Sequence, residues 1–458
     1  MKVFQFFCLV LISFAANAQI VNIPDANFKT ALLNHDPVID TNNDGEIQQS
    51  EADAVSAISV SYEDIGSMEG VQSFTNLMQL VCHGNELSSL DVTQNADLEF
   101  LWCFGNNLTS LDVSQNLDLE TLVVYSNNLS SIDVSQNPDL RMLAIHSNNI
   151  LTLDVSQNLQ LISLDCGYNN LSSLDLSQNT MLGSLHCTGN MISQLDITSN
   201  TLLTSLGAGS NGLSTIDLSQ NPDIEVLVLW NNNLTEIDIS ENPNIALFYC
   251  QGNQLSLVDV TLQSNLNLFY CHENQITSLD ISQNLELQIL ECHENNLTDL
   301  DLSQNPELVR LEAHANQLNS LNIKNGNNII LEQMSAYNNP DLGCIQVDDE
   351  IFANSQECDL PNFDGWCIDK EASYSQVCIL GLEDSFIEEV VLFPNPSSDM
   401  IEISGGEVIQ SVNFYTISGT LVQQCYASVC DVSALSDGIY LVQIIGETGV
   451  ATKRFIKN

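Results

Sequence analysis

Apolar residues recur along this chain with a period of 21. From Leu77 they fall at Leu77, Leu80, Cys82, Leu87, Leu90 and Val92, and the spacing restarts at Leu98 as Leu98, Leu101, Cys103, Leu108, Leu111 and Val113. The unit repeats twelve times in succession, from Leu77 to Leu321, without an insertion or deletion. Within each unit, L-x-C or L-x-L predicts a short strand whose alternate residues point inward. One unit cannot bury its apolar face alone, so the pattern predicts a solenoid whose units stack in phase. A second half-pattern, L-x-x-L-D-V-S-x-N, echoes the first, with Leu90, Val92 and Asn95 matching Leu80, Cys82 and Asn85. No stretch between strands is long enough for a stable helix. The outer side is therefore expected to run in short extended segments, giving a mainly β fold built on a parallel ladder.

The polar positions are as periodic as the apolar ones. An Asn follows the strand in all twelve units, from Asn85 through Asn106 and Asn127 to Asn316, where a stacked side-chain amide can satisfy backbone groups at a buried turn. A second Asn persists at ten of the twelve rungs and fails at Gln263 and Gly326. The arrangement Leu119, Leu122, Val124, Asn127 and Leu129 resembles the leucine-rich repeat family, over roughly 60% of the chain. That resemblance implies a solenoid with an extended concave binding face. Ile58 to Phe74 reads as a divergent first rung, and Leu331, Met334, Ala336 and Asn339 as a degenerate last one. Caps are expected beyond both, because an uncovered terminal rung is an open sheet edge.

Charge narrows the function. Acidic residues outnumber basic ones 59 to 9, and between Ala52 and Asn322 only Arg141 and Arg310 are basic. Such a surface repels phosphate backbones and anionic headgroups, which argues against nucleic acid and peripheral membrane partners. Met1-Lys2, an apolar run from Val3 to Phe14 and Ala16-Asn17-Ala18 have the layout of a secretory signal peptide cleaved after Ala18. No other run is long enough to cross a bilayer. Seven cysteines (Cys82, Cys103, Cys166, Cys187, Cys250, Cys271 and Cys292) share one inward column of the repeat and are assigned to the core. Cys344, Cys358, Cys367 and Cys378 cluster past the last repeat, where export makes two disulfides of undetermined pairing the expectation.

Three groups of residues carry candidate chemistry. D-T-N-N-D-G-E-I-Q-Q-S-E, Asp40 to Glu51, fits the calcium loop of an EF-hand or dockerin-like element. Asp40, Asn42, Asp44, Glu46 (by its carbonyl), Gln48 and Glu51 would supply oxygens to a structural Ca²⁺, and Gly45 the sharp turn. Flanking helices are expected over Asp25 to Leu33 and Glu51 to Ile58. The alternative is an acidic turn that only caps a helix. The second group lies on outward columns of the strands: Phe100, Trp102, Phe104 and Tyr125 toward one end, and Val228, Trp230, Tyr249 and Tyr270 toward the other. These aromatics are candidate binding anchors, unless they pack on one another along the ladder. In the third group, His83, His146, His186, His272, His293 and His314 occupy the same outward columns. The last three fall on consecutive rungs beside Glu273, Glu291, Glu294 and Glu312, so His272, His293 and His314 could hold Zn²⁺, charge as pH falls, or form a solvated face without a ligand. A further column, Asp91, Asp112, Asp133 and onward to Asp301, needs its repulsion offset, either by turn hydrogen bonds to the Ser or Thr two residues on or by cations.

From Glu389 the pattern changes to alternating apolar residues with turn signals, predicting six or seven short strands in a small β-sandwich. Pro394-Asn395-Pro396, Ser418-Gly419, Gly438-Ile439-Tyr440 and the terminal Lys453 to Asn458 resemble the type A sorting domain of the bacterial type IX secretion system. The resemblance implies passage through that machinery, usually with removal of the domain, leaving the rest at the cell surface or outside. The expected division is a signal peptide over 1–18, a cap with the calcium-loop motif over 19–54, repeats over 55–343, a cysteine-containing cap over 344–380 and the sorting domain over 381–458. The chain reads as an exported protein-binding or adhesion module acting through its concave face. A glycan-binding surface protein is the alternative. An enzyme is the third reading, for which neither G-x-S-x-G nor H-E-x-x-H is present.

Overall fold

The computed structural model describes residues 19–359, 364–378, 391–404, 409–416, 420–446 and 450–458. The expected signal peptide and the Ser418-Gly419 motif lie outside the described residues. The chain divides into two compact units, one ending at Val377 and the other beginning at Cys378.

In the first unit a 16-stranded sheet runs through every repeat. The strands of the repeats are three residues long and pair in parallel with the 21-residue register, as where Phe100, Leu101 and Trp102 face Thr121, Leu122 and Val123. The middle residue of each repeat strand is buried, and so is the residue two positions on, such as Leu101 and Cys103. Outside the regular units the register lengthens, to 22 residues where Ala57 pairs with Gln79 and to 23 where Arg310 pairs with Gln333. The seven column cysteines are buried free thiols, as the core assignment requires. Burial pushes Cys82, Cys187 and Cys292 up to about 12, so they stay protonated.

The two Asn columns do different work. Asn148 Nδ2 donates to the carbonyls of Val124 (3.1 Å) and Ile145 (3.0 Å), and its Oδ1 accepts from Leu129 N–H at 2.9 Å. On the outer side Asn158 Nδ2 donates to Val134 O at 2.9 Å and Asn137 O at 2.8 Å, while its buried Oδ1 has no donor. Where the second pattern fails, neighbours substitute. Gln263 Nε2 reaches Ile239 O at 2.8 Å, and Asn325 Nδ2 reaches Asn305 O at 2.7 Å beside Gly326.

The outer segments differ from the expected run of extended pieces. Regular pairing appears only at the C-terminal end, in a four-stranded sheet of Asp299–Asp301, Ser320–Asn322, Cys344–Gln346 and Ser373–Ser375. Elsewhere the outer side is turns, with one isolated bridge between Asp91 and Asp112. Local side-chain bonds take the place of ladder bonds there. At each rung the column Asp accepts the N–H two residues on, as Asp112 does from Ser114 at 2.9 Å and Asp259 from Thr261 at 3.0 Å. These bonds also hold Asp112, through Ser114, and Asp196, through Thr198, below the usual carboxylate range. The column's mutual repulsion is thus offset by its own turns.

Both ends of the ladder are covered. Helix α1 (Ala26–Leu33) buries Phe28 and Leu32, and its cap Asp25 also accepts Gly66 N–H and Ser67 N–H, each at 3.0 Å. The second flank of the acidic loop is one turn, α2 (Gln49–Ala52), rather than a helix reaching Ile58. Ala57–Ser59 is instead the first strand of the ladder, because Ile58 is needed in the apolar column. At the far end Asp364–Cys367 continues the ladder and Cys358–Asp359 closes it antiparallel. Trp366 fills this cap, donating from Nε1 to Leu331 O at 2.9 Å. Cys358 bonds Cys367, and Cys344 and Cys378 are also disulfide-bonded.

Among the described residues, the second unit has seven strands in two antiparallel sheets of three and four, as the alternation predicts. Phe414, Phe455, Val442 and Ile401 form its core, and Cys425 bonds Cys430.

Candidate functional site

Three columns of side chains leave the inner ladder away from the core. The first carries Phe100, Met142, Leu247 and Arg310, and the second carries Trp102, Asp165, His186, Tyr249, Tyr270, Glu291 and Glu312. The third, two residues past the strand, carries His83, Phe104, Tyr125 and His146, then Gly167, Thr188, Gly209, Trp230 and Gln251, then His272, His293, His314 and Tyr337. The residue after the third column adopts a left-handed conformation, as at Ser126 (φ 52°), Glu273 (φ 53°) and Glu294 (φ 52°). That turn sends the chain back under the sheet and fixes where the third-column side chains project. It falls on Gly in only some units, so the sequence gives little sign of it.

The third column is a pair of ring stacks. Near the N-terminus His83, Phe104, Tyr125 and His146 lie nearly parallel, with centroids 4.1, 4.3 and 4.1 Å apart, and Tyr62 meets His83 edge-on. Near the C-terminus His272, His293, His314 and Tyr337 stack at 4.2, 4.4 and 4.6 Å. A parallel ladder holds side chains at about the thickness of an aromatic ring pair, so rings in one column must stack. These residues therefore spend their faces on one another and offer only edges. This is the packing along the ladder that stood as the alternative for Phe104 and Tyr125, and it covers the ring faces of His272, His293 and His314 as well. Tyr62 and Tyr337 end the two stacks and went unassigned, although column spacing was the signal for both.

Other sequence-derived candidates fall into two patches. Phe100 and Trp102 share the first patch, where Trp102 is 40% exposed and Met142 is 42% exposed. In the second patch Tyr249 and Tyr270 stack at 4.7 Å beside Val228. Trp230 lies across Gly209, whose Cα hydrogen stands where any Cβ would meet the indole at 2.7 Å. His186 covers Gly207 in the same way, a Cβ there meeting its Cδ2 at 2.6 Å. Between the patches the rungs carry small or polar residues: Ser163, Asp165, Gly167, Ser184 and Ser205.

The C-terminal stack borders charge. Glu291 Oε2 lies 3.5 Å from His272 Nδ1, and Glu312 Oε2 lies 3.3 Å from His314 Nδ1. Arg310 bridges the two carboxylates, at 3.2 Å from Glu291 and 3.1 Å from Glu312. Burial raises Glu291 even against Arg310. At Glu312 burial pushes the same way, but bonds from His314 and Arg310 outweigh it and hold the group low. Burial lowers His272, and lowers His293 to about 3, so His293 stays neutral in the range where a free imidazole charges. Among the described residues, two clusters of His, Cys, Asp or Glu bring one ligand atom each within 4.8 Å of the others: His272, Glu291 and His293, and His293, Glu294 and His314.

The acidic N-terminal loop closes on itself. Asp40 Oδ2 accepts Gly45 N–H at 2.9 Å, and Asn42 Oδ1 accepts Asp44 N–H at 2.8 Å. Asp44 Oδ1 accepts Glu46 N–H at 2.9 Å, and Asn42 Nδ2 donates to Gln48 Oε1 at 2.7 Å. Glu51 accepts from Thr41 N–H at 2.8 Å and Gln48 N–H at 2.9 Å, bonds that hold its carboxyl low despite burial. Glu46 pairs its side chain with Lys29 at 2.6 Å. Gly45 sits at φ 82°, the left-handed turn such a loop needs. The side chains of Asp40, Asn42, Asp44, Gln48 and Glu51 are thus gathered by one short loop.

Comparison with known proteins agrees with this architecture. Residues 391–458 match the family described as Secretion system C-terminal sorting domain. The functional domain of InlJ from Listeria monocytogenes, which includes a cysteine ladder, is similar to this chain at 25% identity and a TM-score of 0.65, covering 96% of this chain and 98% of that one. The internalin InlF of the same organism is similar at 20% identity and a TM-score of 0.55, over 65% of this chain and 98% of that one. A leucine-rich repeat protein of Leptospira interrogans shares 25% identity at a TM-score of 0.53, covering 62% of this chain and 75% of that one. No curated protein matches the chain. The fold is a leucine-rich repeat solenoid of 21-residue units followed by a sorting domain of type IX secretion. That tail assigns the protein to export, at the cell surface or beyond it, and no described helix is long and apolar enough to cross a membrane.

Proposed function

We propose that the ladder face binds a protein partner outside the cell, with Phe100 and Trp102 at one patch and Trp230, Tyr249 and Tyr270 at the other as anchors. The observation that carries this is the exposure of Trp102, an indole 40% open to solvent beside a stack of rings that cover one another. Large aromatics with one open side are the residues that dominate protein interfaces. The chain's net charge of −50 favours a partner with a basic rim around an apolar contact. The resemblance to leucine-rich repeat proteins supports the same reading. A photo-crosslinking residue at position 102 is expected to capture a defined partner that one at Leu151, 60% exposed on the outer side, does not. Equal capture from both positions sinks the reading.

Glycan binding is the second reading. It needs ring faces open to a sugar, which Phe104 and Tyr125 lack and Trp102 retains. A glycan array showing selective binding lost in Trp102→Ala favours it over a protein partner.

The Asp40–Glu51 loop is further proposed to hold a structural Ca²⁺ through Asp40, Asn42, Asp44, the Glu46 carbonyl, Gln48 and Glu51. The donor set is all oxygen, as a hard cation requires, and the Gly45 turn is in place. Calcium is expected to raise Tm by several degrees in the native chain and not in Asp44→Ala; an equal rise in both rejects the site.

A further inference from the structure

We propose that the histidine stack at the C-terminal end of the ladder is a transition-metal site, taking Zn²⁺ or a similar borderline divalent ion between His272, Glu291 and His293, with His314 and Glu294 as the alternative pair around the same His293. The site goes beyond the partner-binding reading and does not depend on it.

Four observations carry it. First, both clusters already hold their ligand atoms within 4.8 Å of one another, and His293 belongs to both. A tetrahedral ion with ligands at about 2.0–2.1 Å needs them roughly 3.4 Å apart, so side-chain rotations of about 1 Å close the shell. Second, Nδ1 of His272 and of His293 are buried without a hydrogen-bond partner. A buried polar atom left so costs stability, and a bound ion would supply the missing contact through one ring nitrogen while reorienting the ring. Third, Glu312 Oε2 stands 3.3 Å from His314 Nδ1, the kind of carboxylate contact that fixes ring orientation at metal sites. Fourth, the rings lie on a rigid parallel ladder, so bringing the ligands together requires no loop to fold.

The N-terminal stack is a built-in control. It uses the same column and the same spacing, but Phe104 and Tyr125 separate His83 from His146 and no metal-ligand cluster forms there. Arg310 is the internal competitor. Its guanidinium holds Glu291 Oε1 at 3.2 Å and competes for the charge of the carboxylate whose Oε2 faces His272.

The test is calorimetric titration of the metal-free full chain with Zn²⁺ at pH 7.5, in the presence of excess Ca²⁺ to fill oxygen-only sites. The expected result is saturable binding of one ion. His293→Phe keeps a ring in the stack and removes the ligand, so it should weaken that binding by about 100-fold or more, while His83→Phe leaves it unchanged. Glu291→Gln is expected to weaken binding by about 10-fold. Binding in His293→Phe equal to the native chain, or no saturable Zn²⁺ binding under excess Ca²⁺, overturns the site. Co²⁺ substitution provides a readout independent of folding stability. A spectrum of nitrogen and oxygen ligation supports the site, whereas thiolate charge-transfer bands would assign the ion to the column cysteines and overturn it.

Discussion

The ladder stacks rings twice in one column, with centroid spacings that differ by only a few tenths of an ångström and with opposite surroundings. The N-terminal stack runs His83, Phe104, Tyr125, His146 beside Trp102, Val123 and Ala144. The C-terminal stack runs His272, His293, His314, Tyr337 beside Tyr270, Glu291 and Glu312. Register alone builds both, because a parallel sheet delivers equivalent positions at ring-stacking distance. The chemistry comes from the neighbouring column. Against apolar neighbours the stack is a stabilising spine beside an open indole. Against two buried carboxylates and one arginine it becomes a set of nitrogen and oxygen donors.

The largest expected effect separates the two on stability. Phe104→Ala removes two stacked contacts and a half-buried ring, and should cost about 3 kcal/mol. His293→Ala also removes two stacked contacts, but with them a buried unpartnered nitrogen, so its cost in the absence of metal should stay under about 1 kcal/mol. Urea unfolding of the two variants measures the gap. Equal losses would mean that stacked area alone decides and that the orphaned nitrogen carries no penalty.

Arg310 sharpens the comparison from the other side. Replacing it by Met leaves Glu291 and Glu312, both buried, without their shared cation. Stability should fall by about 2 kcal/mol, less than for a fully buried pair because the arginine is itself part-exposed. Zn²⁺ affinity should rise several-fold at the same time, since the competitor for Glu291 is gone. A variant that loses both stability and metal affinity would show that Arg310 organises the ligands instead of competing for them.

Trp102 tests the open side of the N-terminal stack. If the partner anchors there, Trp102→Ala should weaken binding by about 30-fold, or 2 kcal/mol, with little change in Tm because the side chain is 40% exposed. Binding kept by Trp102→Ala and lost by Trp230→Ala would move the interface to the second patch.

Much of this was legible in the residues. A 21-residue period without slips fixes the ladder, the inward cysteines and both Asn columns, and the change of pattern near Glu389 marks the sorting domain. What escaped is what depends on distances between columns. Phe104 and Tyr125 alternate outward, which leaves open anchors and packing along the ladder both standing, and only the ring spacing decides for packing. Arg310 stood out as one of two cations between Ala52 and Asn322, yet its bridge between Glu291 and Glu312 depends on a neighbouring rung. The outer side was expected to be extended throughout. Periodicity cannot distinguish a turn closed by an Asp side chain from a paired strand, since both leave the same apolar residues buried.

The smallest effect concerns protons in the N-terminal stack. Burial holds His83 below the usual imidazole pKa of 6.5, and no charged group opposes that shift. The folded chain therefore prefers the neutral ring, whereas the unfolded chain titrates near 6.5. Above 6.5 neither state binds the proton and the contribution to stability is fully present. As pH falls below 6.5 the unfolded state takes up the proton first, and stability declines until the folded state's own lower pKa is passed. In His83→Phe this part of the decline disappears while the ring stack persists. Tm measured from pH 7.5 to 5 should therefore fall less steeply in the variant than in the native chain, by about 1 °C over the interval, because the ring is only part-buried. Parallel curves would mean that His83 titrates alike in both states, and that the edge-on contact with Tyr62 leaves the imidazole as open to water as it is in the unfolded chain.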